Sequence, residues 1–387
     1  MDNYEKGKLG EDYVIKLTEE KFLRYWCFPN PHDEFGNRKE ICDLLILFKN
    51  IAIIISVKSY FLHGNYTRYR KKVVNKSSNQ LYGAERNYFN NNKFFTVKHP
   101  DRGLVEINPT LYDEIYLITL NTGEQFENYE LFDSSPGKKL VSVINKATFD
   151  VILKELDTIA DLVEYLKERE QLLKVDGIQV SGREKDLLGI FLRNARKFPS
   201  DFFEKNTHLD LQGEWEIYDQ NTAVFNKRLE NRSSYFIDRI VRKDILKMKN
   251  GEFLATHLMS LNRFERRFVA KEWFSLVNKY ADKENFLARR FLPNRQPPIL
   301  LAYYNTDLEE NKLDEVLQQT IFAYQYKKNI PEIIFLSATK EMKQYKFGYN
   351  YIDKPFSSTE IKNLEEFITA AGWFTNENIS TSNENEY

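Results

Sequence analysis

Two apolar runs separated by only two residues constrain this chain more than any other feature. Residues 41–48 and 51–57 are rich in Ile, Leu and Val, and Lys49-Asn50 between them leaves room only for a tight turn. The pattern predicts a hairpin at the centre of a sheet. The second run closes on Ser56-Val57-Lys58, and the first contains Asp43 near its start. Antiparallel pairing about Lys49-Asn50 carries Asp43 and Lys58 toward the same end of the sheet.

The stretch from Leu44 to Ala84 contains no acidic residue. It does contain Lys49, Lys58, Arg68, Arg70, Lys71, Lys72 and Lys76, with Tyr60, Phe61, Tyr66 and Tyr69 interleaved. A net charge of -1 over 387 residues hides this local asymmetry, and it is local placement that sets the field a ligand meets. Arg68, Arg70, Lys71, Lys72 and Lys76 are the expected phosphate contacts, and Tyr69 is an aromatic able to stack on a base. Nucleic acid is therefore the expected partner.

The length predicts two domains, and 42% hydrophobic with 29% charged residues describes a folded chain with a soluble surface. No run approaches the roughly 18 to 20 apolar residues of a membrane span, and the first residues lack a signal-peptide core. Cys27 and Cys42 are too few for a disulfide framework and fit a cytoplasmic setting. No Gly-x-x-x-x-Gly-Lys-Ser/Thr loop and no zinc spacing among the five histidines is present.

Along the chain, the periodicities predict a helix over 5–24, a short strand at 25–28, the two central strands, and a helix over 80–89. Ser77-Ser78-Asn79 are its N-cap candidates. Strands at 113–120 and 140–144 and helices at 148–156 and 159–168 follow. The glycines of 174–182 mark the expected junction, giving domains 1–173 and 183–375 and a flexible tail at 376–387. The second domain is expected to be mainly helical α+β, with helices near 184–197, 235–247 and 258–280. A strand, helix and strand at 299–304, 313–327 and 333–337 complete it. Arg263, Arg266, Arg267 and Lys271, diluted by Glu265 and Glu272, read as a solvated helix face.

Gly10-Glu11 on the first helix, Ile41-Cys42-Asp43, Ser56-Val57-Lys58 and residues 80–84 together resemble the PD-(D/E)XK nuclease superfamily, most closely its Mrr-like and nuclease-related (NERD) branches. The similarity covers about the first 120 residues. It implies a restriction-endonuclease-like α/β core, a central mixed sheet flanked by helices. It further implies Asp43 as principal metal ligand, Glu11 as a helix carboxylate at the metal, Lys58 as catalytic lysine and Gln80 as an ordering residue on the second helix. Phosphodiester hydrolysis of this kind uses Mg or Mn, whose hard charge calls for oxygen ligands.

One position departs from the pattern: Ser56 stands where the superfamily carries Asp or Glu. Some restriction enzymes that resemble the superfamily share that serine and recruit a glutamate from the second helix, for which Glu85 is the candidate here. It sits about 140° around an ideal helix from Gln80. Glu40, three residues before Asp43, would point to the opposite face of a continuous strand.

The reading that follows is a metal-dependent DNA endonuclease acting on double-stranded DNA in prokaryotic anti-phage defence or restriction. A homo-oligomer or a second defence-system protein stays open as partner. Two alternatives stand beside it: a nuclease-fold module that binds nucleic acid without cutting, and a scaffold whose C-terminal domain carries the main function.

Overall fold

The computed structural model describes residues 3–36, 38–61, 65–123, 131–133 and 137–375, so the tail expected at 376–387 lies outside the described residues. Contacts divide the chain into two units, 1–228 and 229–387.

In the first unit the helix Asn3–Phe22 leads into β1 (Cys27–Pro29), β2 (Leu44–Phe48) and β3 (Ile51–Lys58). β1 and β3 both pair antiparallel with β2. The β2–β3 turn is the expected two-residue one, with Lys49 in the left-handed region at φ 53°. A helical stretch over 66–89 follows, then a hairpin of β4 (Phe95–His99) and β5 (Gly103–Ile107). β6 (Glu114–Asn121) pairs parallel with β3. β7 (Phe132–Asp133) and β8 (Val141–Asn145) complete a mixed six-stranded sheet in the order β1-β2-β3-β6-β8-β7. This is an α/β fold, and its opening helix, three strands and helix are those read from the sequence, as is β6, while the β4–β5 hairpin between that helix and β6 is not.

Every residue of β2 is buried, and so is β3 apart from its two ends. A strand covered on both faces reads as a continuous apolar run rather than an alternating one. On one face Leu45, Leu47, Ala52 and Ile54 join Leu81, Tyr82, Ala84 and Tyr88 of the 66–89 helix in a single core. The helix Asn3–Phe22 packs against β1 and β3.

The 66–89 helix starts well before the expected residue 80. Asn65 caps it, accepting from the Arg68 N–H at 2.9 Å. Ser77 is an interior residue whose hydroxyl accepts from Thr119 Oγ1 on β6 at 2.8 Å, so these serines are not the cap. Two π-helical turns, Arg70–Asn75 and Glu85–Phe89, interrupt the α-helical geometry. Such turns are rare inside α-helices and recur at functional sites.

The helices Lys146–Glu155 and Ile159–Leu173, β9 (Gln179–Ser181), the helix Glu184–Arg193, β10 (His208–Asp210) and the helix Glu214–Asp219 complete this unit. Its boundary falls later than the glycines at 174–182, because buried polar ties hold 183–228 to the preceding helices. Arg169 grips Glu184 through Nε at 2.7 Å and Nη2 at 2.8 Å, and Tyr218 donates to Glu155 at 2.9 Å.

The second unit carries the helices Gly251–Met259 and Arg263–Tyr280, then β11 (Phe286–Leu292), β12 (Ile299–Asn305), β13 (Glu332–Ala338) and β14 (Tyr345–Tyr351) in that sheet order. β12 and β13 are parallel and joined by the helix Glu310–Lys328, the expected strand-helix-strand unit. The helix Ser358–Ala370 follows the sheet. Arg263, Arg266 and Arg267 are not a solvated face: each is 2% exposed. Asp238 draws two of them inward, accepting from Arg263 Nη1 at 2.7 Å and Arg266 Nη1 at 2.6 Å. Among the described residues no helix is long and apolar enough to cross a membrane.

Candidate functional site

The end of β3 brings Lys58 within electrostatic reach of Glu11, Glu40, Asp43 and Lys76. Leu44 pairs with Ile55, so one further step of that register sets Asp43 across from Ser56. The Val57 N–H donates to Asp43 Oδ2 at 2.6 Å and fixes that carboxylate against the strand. Side chains alternate along a strand, so Ser56 and Lys58 share the face of Ala52 and Ile54, under the 66–89 helix. Lys58 Nζ donates to Ser56 Oγ at 2.8 Å and to the Val57 carbonyl at 3.1 Å.

Glu11 reaches the same corner from the first helix because Gly10 precedes it. A Cβ on Gly10 would meet Thr122 Oγ1 at 2.3 Å, so the helix lies close against the chain leaving β6 and a larger residue would force the Thr122 side chain to move. Burial first, and then the Asp43 and Glu40 carboxylates, push the Glu11 pKa above its ordinary value. Burial lowers that of Lys58, with Asp43, Glu11 and Glu40 opposing and Lys76 reinforcing the shift. Glu11, Glu40, Asp43, Lys58 and Lys76 thus share one electrostatic neighbourhood.

A cavity of about 250 Å³ opens here, walled by Glu40, Asp43 and Ser56 on the sheet side and by Asn79, Gln80, Gly83 and Asn87 on the helix side. Gln80 is exposed and lines this cavity. Glu85 is not brought to it. The roughly 140° rotation from Gln80 turns it to the buried side of the helix, at 8% exposure, and it does not line the cavity.

Glu40 overturns the expectation drawn from strand alternation. Pro29 pairs with Leu44 and His32 with Glu40, so a run of 29 to 32 on one side is matched by 44 to 40 on the other. The extra residue is a β-bulge, which reverses the alternation between Asp43 and Glu40 and turns both toward the cavity. Burial, and next the Asp43 carboxylate, raise the Glu40 pKa, and the two carboxyl groups lie within hydrogen-bonding reach.

Arg68, Arg70, Lys71, Lys72 and Lys76 are all exposed on the 66–89 helix. Tyr69 is not available to stack on a base. It is 2% exposed and packs with Val73, Val74 and Val143, while its neighbour Tyr66, 41% exposed, stacks on it. Asn79, read from the sequence as an N-cap candidate, lines the cavity instead, together with Gly83 and Asn87, and their spacing of four puts the three on one helical face.

Among the described residues no three His, Cys, Asp or Glu side chains close on a point as a complete protein cage for a metal would require. The donors present suit a different arrangement. Mg²⁺ commonly takes one or two carboxylates and completes its octahedron with water and substrate phosphate. Asp43, with like-charged carboxylates beside it in an open cavity, fits that chemistry. No protein-family model, curated protein or solved structure matches this chain.

Proposed function

We propose that the first unit is a divalent-metal-dependent nuclease that hydrolyses phosphodiester bonds of double-stranded DNA, in the manner the resemblance to PD-(D/E)XK nucleases implies. The observation that carries this reading is that Asp43 and Gln80 wall one open cavity from the sheet side and the helix side, while Lys58 at the end of β3 and Glu11 on the first helix lie within electrostatic reach of Asp43.

Asp43 is the metal-holding residue, and Glu11 adds negative charge behind it. When bound, Mg²⁺ or Mn²⁺ supplies polarisation of the phosphate and a lowered pKa for the attacking water. Lys58 is pinned by Ser56 Oγ and the Val57 carbonyl, so its charge is fixed for the oxygens that become more negative as the phosphate is attacked. Gln80 orients polar groups within the cavity. Lys76, one turn before Gln80, and Lys72, one turn earlier again, extend a basic face from the cavity along the helix for the neighbouring phosphates.

The second reading, a nuclease-fold module that binds DNA without cutting, draws on Ser56, whose hydroxyl is engaged by Lys58 rather than free for a cation. Incubation of the full chain with plasmid and linear DNA in Mg²⁺, Mn²⁺ or EDTA separates the two. Cutting that requires metal and disappears in both Asp43→Ala and Lys58→Ala is the expected result. Cutting that persists undiminished in both would assign the activity elsewhere.

A further inference from the structure

We infer that Glu40 is the second metal-ligating carboxylate of this site, taking the place that Ser56 leaves empty. The inference rests on the nuclease reading above and extends it to a residue that neither strand alternation nor the resemblance assigns.

The geometry argues for Glu40 over the other carboxylates nearby. Asp43 Oδ2 is committed to the Val57 N–H, so a cation held by Asp43 alone would have a single, partly occupied carboxylate. Ser56, opposite Asp43, already accepts from Lys58. Glu85 is turned to the sheet and lies outside the cavity wall, and Glu11 also stands outside that wall. Among the described residues Glu40 is the one other carboxylate that lines the cavity with Asp43.

The backbone is arranged to produce this pairing. The Asn30 N–H donates to the Asp43 carbonyl at 3.0 Å and the Ile41 N–H to the Pro31 carbonyl at 2.8 Å. Those bonds hold the bulge on both sides, and Ile41 and Cys42 bury their side chains in the core beneath it. Without the bulge Glu40 would face away. Two carboxylates converging on an open cavity repel each other in the absence of a cation, and a hard divalent ion is the ligand that relieves that repulsion. Lys58 does not line the cavity itself but donates to Ser56, which does, so a fixed cation stands beside the metal donors for an anionic substrate.

Mn²⁺ binding to the full chain without DNA, followed by titration calorimetry, tests this directly. The variants are Glu40→Gln, Asp43→Asn and, as a control that removes a nearby exposed charge outside the cavity wall, Asp12→Asn. Glu40→Gln is expected to weaken Mn²⁺ binding at least about tenfold and to abolish most metal-dependent cleavage, with thermal stability and DNA binding in EDTA retained. Asp12→Asn should stay within about twofold of the unaltered chain. Glu40→Gln binding Mn²⁺ as tightly as the unaltered chain, while Asp43→Asn does not, would overturn the assignment of Glu40 and leave the nuclease reading standing. An unaltered chain that binds no Mn²⁺ overturns both.

Discussion

Asp238 in the second unit and Glu40 in the first are both carboxylates set beside cations, yet their surroundings drive them in opposite directions. Burial pushes the Asp238 carboxyl up, and the guanidinium groups of Arg266 and Arg263 more than reverse it, holding it below the usual carboxylate range. At Glu40 burial and the neighbouring Asp43 carboxylate act together and raise it. Glu11 follows Glu40. One cluster is a closed set of opposite charges. The other keeps like charges together at an open cavity, an arrangement that costs stability and is found where a site awaits a ligand. The two clusters therefore contrast charge that holds the fold with charge available for chemistry.

The sharpest way to break that distinction is to remove one carboxylate from each cluster. Asp43→Ala should reduce metal-dependent cleavage by roughly 10⁴-fold, equivalent to about 5.5 kcal/mol in the barrier. Its melting temperature in EDTA should fall only modestly, the lost acceptor for the Val57 N–H being partly offset by relief of the repulsion with Glu40. Asp238→Ala should do the reverse, because it leaves two buried guanidinium groups without their shared anion. Breaking a buried pair in this way costs roughly 3–5 kcal/mol, read as a lowered transition in scanning calorimetry. Acid should act similarly. The Asp238 carboxyl is depressed in the folded state, so its stabilisation is complete above its unfolded pKa of about 3.9 and is lost as pH falls through the lower folded value. An Asp43→Ala chain that unfolds easily, or an Asp238→Ala chain as stable as its parent, would remove the distinction.

How far this contrast could be read from sequence depended on whether a residue's neighbours were close in the chain. The two central strands were legible because burial on both faces wrote them as unbroken apolar runs around Lys49-Asn50. The helix Glu310–Lys328 between β12 and β13 was legible for a similar reason, its flanking strands being equally apolar. The start of the 66–89 helix was not, since its π-helical turn spaces Tyr69, Val73 and Val74 differently from a 3.6-residue period. Strands β11 and β14 mix arginines, lysines and tyrosines with half-buried positions, and neither gives a clean alternation. Asp43 and Lys58 could be paired by counting from the turn. Glu40 could not, because the bulge that re-aims it is set by backbone bonds to Asn30 and Pro31. The burial of Arg263 and Arg266 depended likewise on Asp238, 25 and 28 residues away.

The basic face of the helix provides a weaker test of the open cluster. Lys72 and Lys76 are exposed and need not stabilise the fold, so their replacement by alanine should leave the melting temperature within about 1 °C. DNA binding in EDTA should weaken, and the slope of log affinity against log salt should become shallower by about 0.9 for each phosphate no longer neutralised, close to 1.8 for the pair. An unchanged slope would mean that the phosphates run elsewhere.

The smallest expected effect tests the contrast most directly, since it concerns stability gained by deleting a charge. The Glu11 carboxyl is raised in the folded state, so the folded chain binds its proton more tightly than the unfolded chain does. The sign is opposite to that of Asp238: at pH above the raised pKa the ionised group destabilises the fold, and the deficit shrinks as pH falls through it. Glu11→Gln should therefore stabilise the chain in EDTA. Partial exposure screens the effect to a few tenths of a kcal/mol, about 1 °C in melting temperature for a unit of this size. Adding Mg²⁺ should narrow or reverse the difference, because the unaltered chain then exchanges mutual repulsion for a bound cation while the variant has less repulsion to relieve. A variant that melts lower than its parent in EDTA would mean that Glu11 holds the fold as Asp238 does, and would move it from the open cluster to the closed one.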